Sequence, residues 1–361
     1  MSAAPTLSFE LPGGLAATEP PEARGLRRDG VRLLVARPDG LRHARFTDLA
    51  DHLAPGDLVV VNTSPTLAAA VDLDELTLHV AGRLDDGDWV VELRDPGPVP
   101  DARAGRVLAL PGGVRVTLVA RHPEGGATSE RLWRARADGD LAATLAAHGR
   151  PIAYGYVPRR WPLEAYQTVF AQGARRTARK DGAARPGGTV PGEDDAAEGS
   201  AEMPSAGRPF STDLVTRLVS RGVTVAPLSL HTGLSSPEKH EPPQAERFTV
   251  PAATARLVNT TRAAGGRVVA VGTTVTRALE TLADERGVVS AGGGVTELVL
   301  DRHRPARAVT GLISGWHEPG ASHLMLLEAV AGRRLVARAY AEAVRERYLW
   351  HEFGDSCLLL P

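Results

Sequence analysis

The sequence predicts an α/β main domain interrupted by an inserted antiparallel β-barrel domain, and three observations carry that expectation. Short β-branched and leucine-rich runs at 31–35 and 57–61 lie between Gly, Pro and Asp breakers. Four segments of alternating apolar and polar residues follow between 76 and 119. Beyond 213, helical and extended patterns exchange regularly. The first and third belong to one discontinuous α/β domain, expected at 1–70 and 150–361, and the second to an insert at 71–149.

Each element has its own signal. The two early runs read as buried strands, with 46–53 between them a short helix closed by Pro55-Gly56. LTLHV, DWVVEL, GRVLAL and VRVTLV are separated by Gly, Asp and Pro, the spacing of a small antiparallel barrel or sandwich. A strand near 130–135 and a helix at 141–148 complete the insert. Helix is then expected at 213–221, an extended run at 223–230, helix at 252–264 and a buried strand at 267–271. Gly272-Thr273-Thr274 turns that strand into a helix at 275–283, where a Thr hydroxyl can cap the first turn. Strands at 295–300 and 308–313 and helices at 322–331 and 335–349 finish the chain. In the last helix, Leu335, Val336, Ala339, Tyr340, Ala343, Val344 and Tyr348 recur at helical spacing and form a core stripe.

The stretch 173–200 is rich in Gly and Ala, and Val190 is its largest apolar side chain. It buries too little to offset the entropy of ordering and reads as a disordered, low-complexity loop, dispensable for stability. Its basic half (Arg175, Arg176, Arg179, Lys180, Arg185) is balanced by an acidic half (Glu193, Asp194, Asp195, Glu198).

Composition narrows the chemistry. A single cysteine, Cys357, excludes internal disulfides and multi-cysteine metal centres, and the scattered histidines lack ligand spacing, so no metal is expected. There is no long apolar run and no signal-peptide layout at the start, so no membrane partner is expected and the cytoplasm is the expected location. A net charge of -1 gives no overall field toward polyanions, so RNA binding requires a local patch.

Four segments hold more polar residues and glycines than packing requires. Tyr166 to Phe170 follow Arg159-Arg160, and the two aromatic residues, four apart, suit core packing as well as function. Gly207-Arg208-Pro209-Phe210-Ser211 leads into a helix that Ser211 or Thr212 can cap, facing an anion. Gly272-Thr273-Thr274 with Arg277 places backbone N–H groups and hydroxyls at a helix start, or is simply a tight crossover. Ser314-Gly315-Trp316-His317-Glu318-Pro319 follows a strand, where α/β proteins gather active-site residues, although Trp316-His317 also suits a packed edge. The residues alone reach an α/β protein with a ligand site.

In order, Phe9-Glu10-Leu11-Pro12, the 55–62 strand, Tyr166-Gln167-Thr168-Val169-Phe170-Ala171, Pro204-Ser205-Ala206-Gly207, Leu230-His231, the 266–274 run with Arg277 and Glu280, His317-Glu318-Pro319 and Gly354-Asp355 resemble the S-adenosylmethionine:tRNA ribosyltransferase-isomerase family of queuosine biosynthesis along nearly the whole chain. The resemblance implies an α/β domain interrupted by a β-barrel. It also implies a transferase and isomerase with S-adenosylmethionine as co-substrate. The ribosyl group passes to the aminomethyl group of a 7-deazaguanine base in tRNA and is isomerised to an epoxycyclopentanediol, with adenine and methionine released.

That reaction implies roles. A base that takes an acidic C5' hydrogen beside the sulfonium is sought among His317, Asp355, His231 and Glu246, the first two favoured by their Gly- or Pro-bracketed segments. The methionine carboxylate suits the 272–274 helix start or Arg277, and Trp316 or Phe210 suits the sulfonium or adenine. The donor site is expected where 272–274 meets Trp316-His317 and 207–211. Some blocks depart from the family. Asn62-Thr63-Ser64-Pro65 stands for Asn-Asp-Thr-Arg, and Arg208-Pro209 for Leu-His. Pro243-Gln244-Ala245-Glu246 replaces Met-His-Ser-Glu, and Gly315-Trp316-His317-Glu318-Pro319 replaces Asn-Phe-His-Leu-Pro. The buried strands are retained, so the donor site is expected to persist while the acceptor is tRNA, a small metabolite or, in a non-catalytic binding protein, nothing. Arg159, Arg160, Arg208, Arg302, Arg304 and Arg307 are the arginines expected to contact tRNA, weakly at physiological salt.

Overall fold

The computed structural model describes residues 7–94, 102–123, 131–171, 199–234 and 244–361. β1 (Arg32–Arg37) turns directly into β2 (Gly40–Arg45), and a 3-10 turn at Phe46–Asp51 stands where the short helix was expected. β3 (Leu58–Asn62) follows. The chain then leaves for β4 (Ala70–Asp72), β5 (Thr77–Arg83), β6 (Trp89–Arg94), β7 (Val107–Ala109), β8 (Arg115–Arg121) and β9 (Leu132–Ala137), and α1 (Leu141–His148) occupies the expected helix. On return it forms α2 (Thr212–Ser220), β10 (Thr224–Leu230), β11 (Glu246–Val250), α3 (Ala252–Ala263), β12 (Val268–Val271) and α4 (Gly272–Thr281). β13 (Gly292–Thr296), β14 (Gly311–Gly315), α5 (His323–Ala331), α6 (Arg333–Arg345) and β15 (Ser356–Leu359) complete it.

The strands form two sheets. β1–β3 and β10–β15 build a nine-stranded sheet in the order β13-β11-β10-β3-β12-β14-β15-β1-β2. Its middle strands β3, β12 and β14 are apolar along most of their length because both faces are covered. In β3, Leu58 and Val60 face one core, which α3 to α6 overlie, while Val59 and Val61 face the other with Phe210, Leu214 and Leu218. β12 and β15 alternate in the same way. The intervening residues form a separate antiparallel sheet, β4-β5-β6-β9-β8-β7, with β4 and β7 at its edges. Register shifts at Val80/Gly82 and Leu118/Ala120 curl it. Leu141 and Leu145 of α1 join its core. The insert is therefore an open, curled sheet among the described residues.

Several expectations need correction. Gly272, Thr273 and Thr274 are the first turn of α4 itself, and no side chain caps that helix, so the threonine cap is absent. The strand expected at 295–300 is Gly292–Thr296, because Thr296 turns its side chain inward to Thr281. The low-complexity stretch lies outside the described residues except at its end, where the expectation fails. Ser200 is fully buried, bonded to Ser64, and a Cβ on Gly199 would lie 2.6 Å from Leu67 Cδ2. β2, β4, β11 and β15 were not anticipated.

Candidate active site

The register gathers the site at one sheet edge. β3, β10, β12 and β14 run parallel and end together, whereas β15 and β1 begin there, with Ser356 opposite both Gly315 and Leu33. Asn62–Ser64, His231, Gly272–Thr274, Ser314–His317 and Asp355 therefore share the carboxyl edge of the parallel strands, the usual ligand position in open α/β sheets. Ala206 closes over it, since a Cβ on Gly272 (φ +90) would sit 3.3 Å from the Ala206 Cβ.

Asn62 ties the edge together. Its Oδ1 accepts from Ser64 N at 3.0 Å and Leu230 N at 3.1 Å, and its Nδ2 donates to Leu230 O at 2.8 Å. Ser64 Oγ lies 2.8 Å from both Ser200 Oγ and His231 Nδ1, which fixes the His231 ring. His317 Nε2 lies 2.9 Å from Ser314 Oγ, and its ring stacks on His323 at 4.6 Å. Desolvation, then His323 and His351, hold His317 well below the usual imidazole range, so it is neutral at pH 7. Desolvation and Arg277 lower His323 to about 4.

Other expected ligands are committed to the protein itself. Arg277 donates to Leu298 O, Gln244 O and Thr296 O at 3.0–3.1 Å and pairs with Glu246, which commits four of its five N–H groups to the protein itself. Burial pushes the Glu246 carboxyl up against the pull of that pair. Asp355 Oδ1 and Oδ2 accept from Arg32 N and Leu349 N, each at 2.8 Å, so it joins β1 to the 347–355 loop. Phe210 is fully buried between Phe46 and Phe170. Trp316 is 2% exposed, packed on Tyr340 and Trp350, so neither ring can meet a ligand. Ser211 does cap α2, accepting from Leu214 N at 3.2 Å, but the anion it meets is Asp29, at 2.6 Å. Gly207 lies under Thr168. Gln167 bonds both backbone groups of Thr66, and Tyr166 is core against Phe353. Arg208, 2% exposed, pairs with Glu22 at 2.8 Å and is unavailable to phosphate.

One cluster of aromatic and acidic side chains escaped the sequence reading. Tyr154 stacks on Tyr156 and Tyr156 on His351, at 5.6 and 4.0 Å. Glu352 follows His351, and its Oε2 is buried with no hydrogen-bond partner among the described residues. Desolvation, then Glu202, raise the Glu352 carboxyl to about 8. The Gly354-Asp355 block begins two residues further on, but nothing in residue spacing marks a buried glutamate there. Among the described residues no His, Cys, Asp or Glu group is arranged for a metal, and no helix is long and apolar enough to cross a membrane.

A family model described as "Queuosine biosynthesis protein" matches residues 5–185 and 194–359. The S-adenosylmethionine:tRNA ribosyltransferase-isomerase of Moorella thermoacetica is 33% identical over 98% of this chain and 98% of its own. That of Acidiphilium cryptum is 34% identical over 97% of each. A solved structure of S-adenosylmethionine tRNA ribosyltransferase from Thermotoga maritima superposes with TM-score 0.51 and 26% identity, covering 98% of this chain and 99% of that one.

Proposed function

This chain belongs to the queuosine biosynthesis family of S-adenosylmethionine:tRNA ribosyltransferase-isomerases, and from that membership we propose that it transfers and isomerises the ribosyl group of S-adenosylmethionine onto a 7-aminomethyl-7-deazaguanine base in tRNA, in the cytoplasm. It is a transferase and isomerase with S-adenosylmethionine as ribosyl donor. The observation that carries the reading is the full-length match combined with the convergence of the matched segments at one sheet edge.

The donor lies at that edge, against the start of α4. The first-turn N–H groups of α4, uncapped by any side chain, receive the methionine carboxylate in place of Arg277. His317 is the base that takes the C5' hydrogen beside the sulfonium. It is neutral, Ser314 holds its Nε2, and its Nδ1 has no hydrogen bond among the described residues. The other three candidates are engaged: His231 by Ser64, Glu246 by Arg277 and Asp355 by two backbone N–H groups. Removing the hydrogen leaves an ylide whose electron pair expels adenine, after which the acceptor amine attacks and methionine departs.

Incubating the protein with S-adenosylmethionine and tRNA carrying the aminomethyl base should release adenine and methionine in equal amounts, and His317→Ala should lower the rate by about 100-fold or more. Release that is indifferent to tRNA but needs the free base would assign a small-molecule acceptor. No release under either condition would refute the reading.

A further inference from the structure

A cleft of about 370 Å³ opens beside the six-stranded sheet, lined by His79 and Arg94 of that sheet and by Arg150, Tyr154 and Glu202 of the connecting segments. The donor chemistry above uses none of these side chains. From the cleft, the rings of Tyr154, Tyr156 and His351 form a ladder with interplanar angles of 12° and 15°, which leads toward the edge where His317 stands. His351 holds a left-handed backbone (φ +73), rare outside glycine, with Gly354 N donating to its carbonyl at 3.0 Å. That conformation sets the ring against Tyr156 while the next residue, Glu352, turns inward.

The Glu352 Oε2 atom is buried without a hydrogen-bond partner, an arrangement that is costly unless a ligand supplies the missing donor. Glu202, which lines the cleft, is close enough for its charge to act on Glu352 and on Tyr156. Tyr154 and Glu202 line the cleft, while Tyr156, His351 and Glu352 lie beyond it along the ladder; aromatic faces beside two carboxylates select a flat ligand that carries a cation.

We propose that Glu352 is the catalytic base that deprotonates the primary ammonium of the ribosyl acceptor, whose heterocycle lies against the Tyr154–Tyr156–His351 ladder with Glu202 beside the charge. This rests on the preceding reading that the acceptor is an aminomethyl heterocycle. In the step, one N–H bond of the ammonium breaks and an O–H bond forms on Glu352. The electron pair stays on nitrogen and forms a C–N bond to the ribosyl unit whose bond to adenine the ylide has already broken, methionine then leaves with the electrons of its C–S bond, and Glu352 later returns the proton to solvent. Desolvation, then Glu202, set its carboxyl at about 8, suited to take a proton from an alkylammonium near neutral pH. Tyr156 and Tyr166 also face it, both with phenols raised by burial and by Glu352, and Glu318 sits beyond, 3.5 Å from His351.

The test compares wild type with Glu352→Gln, which keeps the shape and removes the charge. Turnover should fall by about 100-fold or more, and the rise in rate through about pH 8 should disappear, while calorimetric affinity for S-adenosylmethionine stays within about twofold. Free 7-aminomethyl-7-deazaguanine should bind wild type about tenfold more tightly than the variant, whereas 7-methyl-7-deazaguanine, which lacks the amine, should bind both alike. Equal weakening of S-adenosylmethionine would assign Glu352 to the donor and overturn the proposal, as would an unchanged pH limb or equal binding of the amine by both proteins. If wild type shows no turnover at all, the general reading fails. The two-ligand binding comparison then still decides whether Glu352 recognises the amine.

Discussion

At the scale of single residues, the site is defined by which polar side chains the fold has already satisfied. Arg277 spends its guanidinium on three carbonyls and Glu246. Arg277→Ala should therefore act on stability before catalysis, costing about 3–5 kcal/mol because Glu246 is left buried and unpaired. A chemical-denaturation midpoint checks this, and an unchanged midpoint with weakened S-adenosylmethionine binding would return Arg277 to the ligand. Glu352 has the opposite profile. Its carboxyl is raised to about 8, so between about pH 4, where a free glutamate titrates, and pH 8 the folded chain holds a proton that the unfolded chain has lost. Stability falls as pH rises through that window. Glu352→Gln should raise the melting temperature at pH 8 and change it little at pH 4. A gain of equal size at both pH values would show that the carboxyl is not buried as described. The position of His317 at the sheet edge was legible in the sequence because a strand end and Pro319 bracket it. Phe210, Trp316 and Arg277 looked equally functional there, since residue type and spacing do not reveal which partner has already claimed a side chain.

At the scale of elements, the strands that read most clearly are those buried on both faces, such as β3 and β12, whose unbroken apolar runs admit no other placement. β15 escaped because four residues at the end of a chain carry too little pattern, yet it lies inside the sheet between β14 and β1. Leu358, fully buried, should cost about 2–5 kcal/mol on truncation to Ala, read from the same denaturation midpoint. A cost near zero would mean that β15 is a frayed end. α4 was placed a turn too late because its Gly-Thr-Thr start resembles a cap; the structure makes those residues helix and leaves the N–H groups uncapped. The return from the low-complexity stretch is likewise held by Gly199 and Ser200. Gly199→Ala should destabilise by about 1–3 kcal/mol through the contact with Leu67.

At the scale of the whole molecule, a cleft lies beside the six-stranded sheet, and the chain that leads from that sheet back to the nine-stranded one is held by charge. Arg150, just after α1, forks onto Asp72 at the end of β4, and that hydrogen-bonded pair lowers the Asp72 carboxyl to about 2. A depressed carboxyl stabilises the fold above about pH 4 and loses that contribution as pH falls toward 2. Asp72→Asn should flatten the acid dependence of stability in that interval, and an unchanged slope would show the pair to be ornamental. The separation of the two sheets was legible because the alternation from 76 onward differs from the buried runs around it. The cleft was not, since its lining comes from positions as far apart as Thr77 and Leu234. The charge balance also reads differently in three dimensions. Arg208 is buried and Arg160 pairs with Asp72, which leaves Arg159, Arg302, Arg304 and Arg307 exposed for phosphate. Affinity for tRNA should therefore be modest and fall steeply with salt. The most direct measurement follows the ribose itself: S-adenosylmethionine labelled with carbon-13 in its ribose is incubated with this protein and tRNA carrying 7-aminomethyl-7-deazaguanine, and the tRNA is digested for mass spectrometry of its nucleosides. The account predicts the label in the modified wobble nucleoside, in amounts matching the adenine released; adenine released with no label in the tRNA would contradict it.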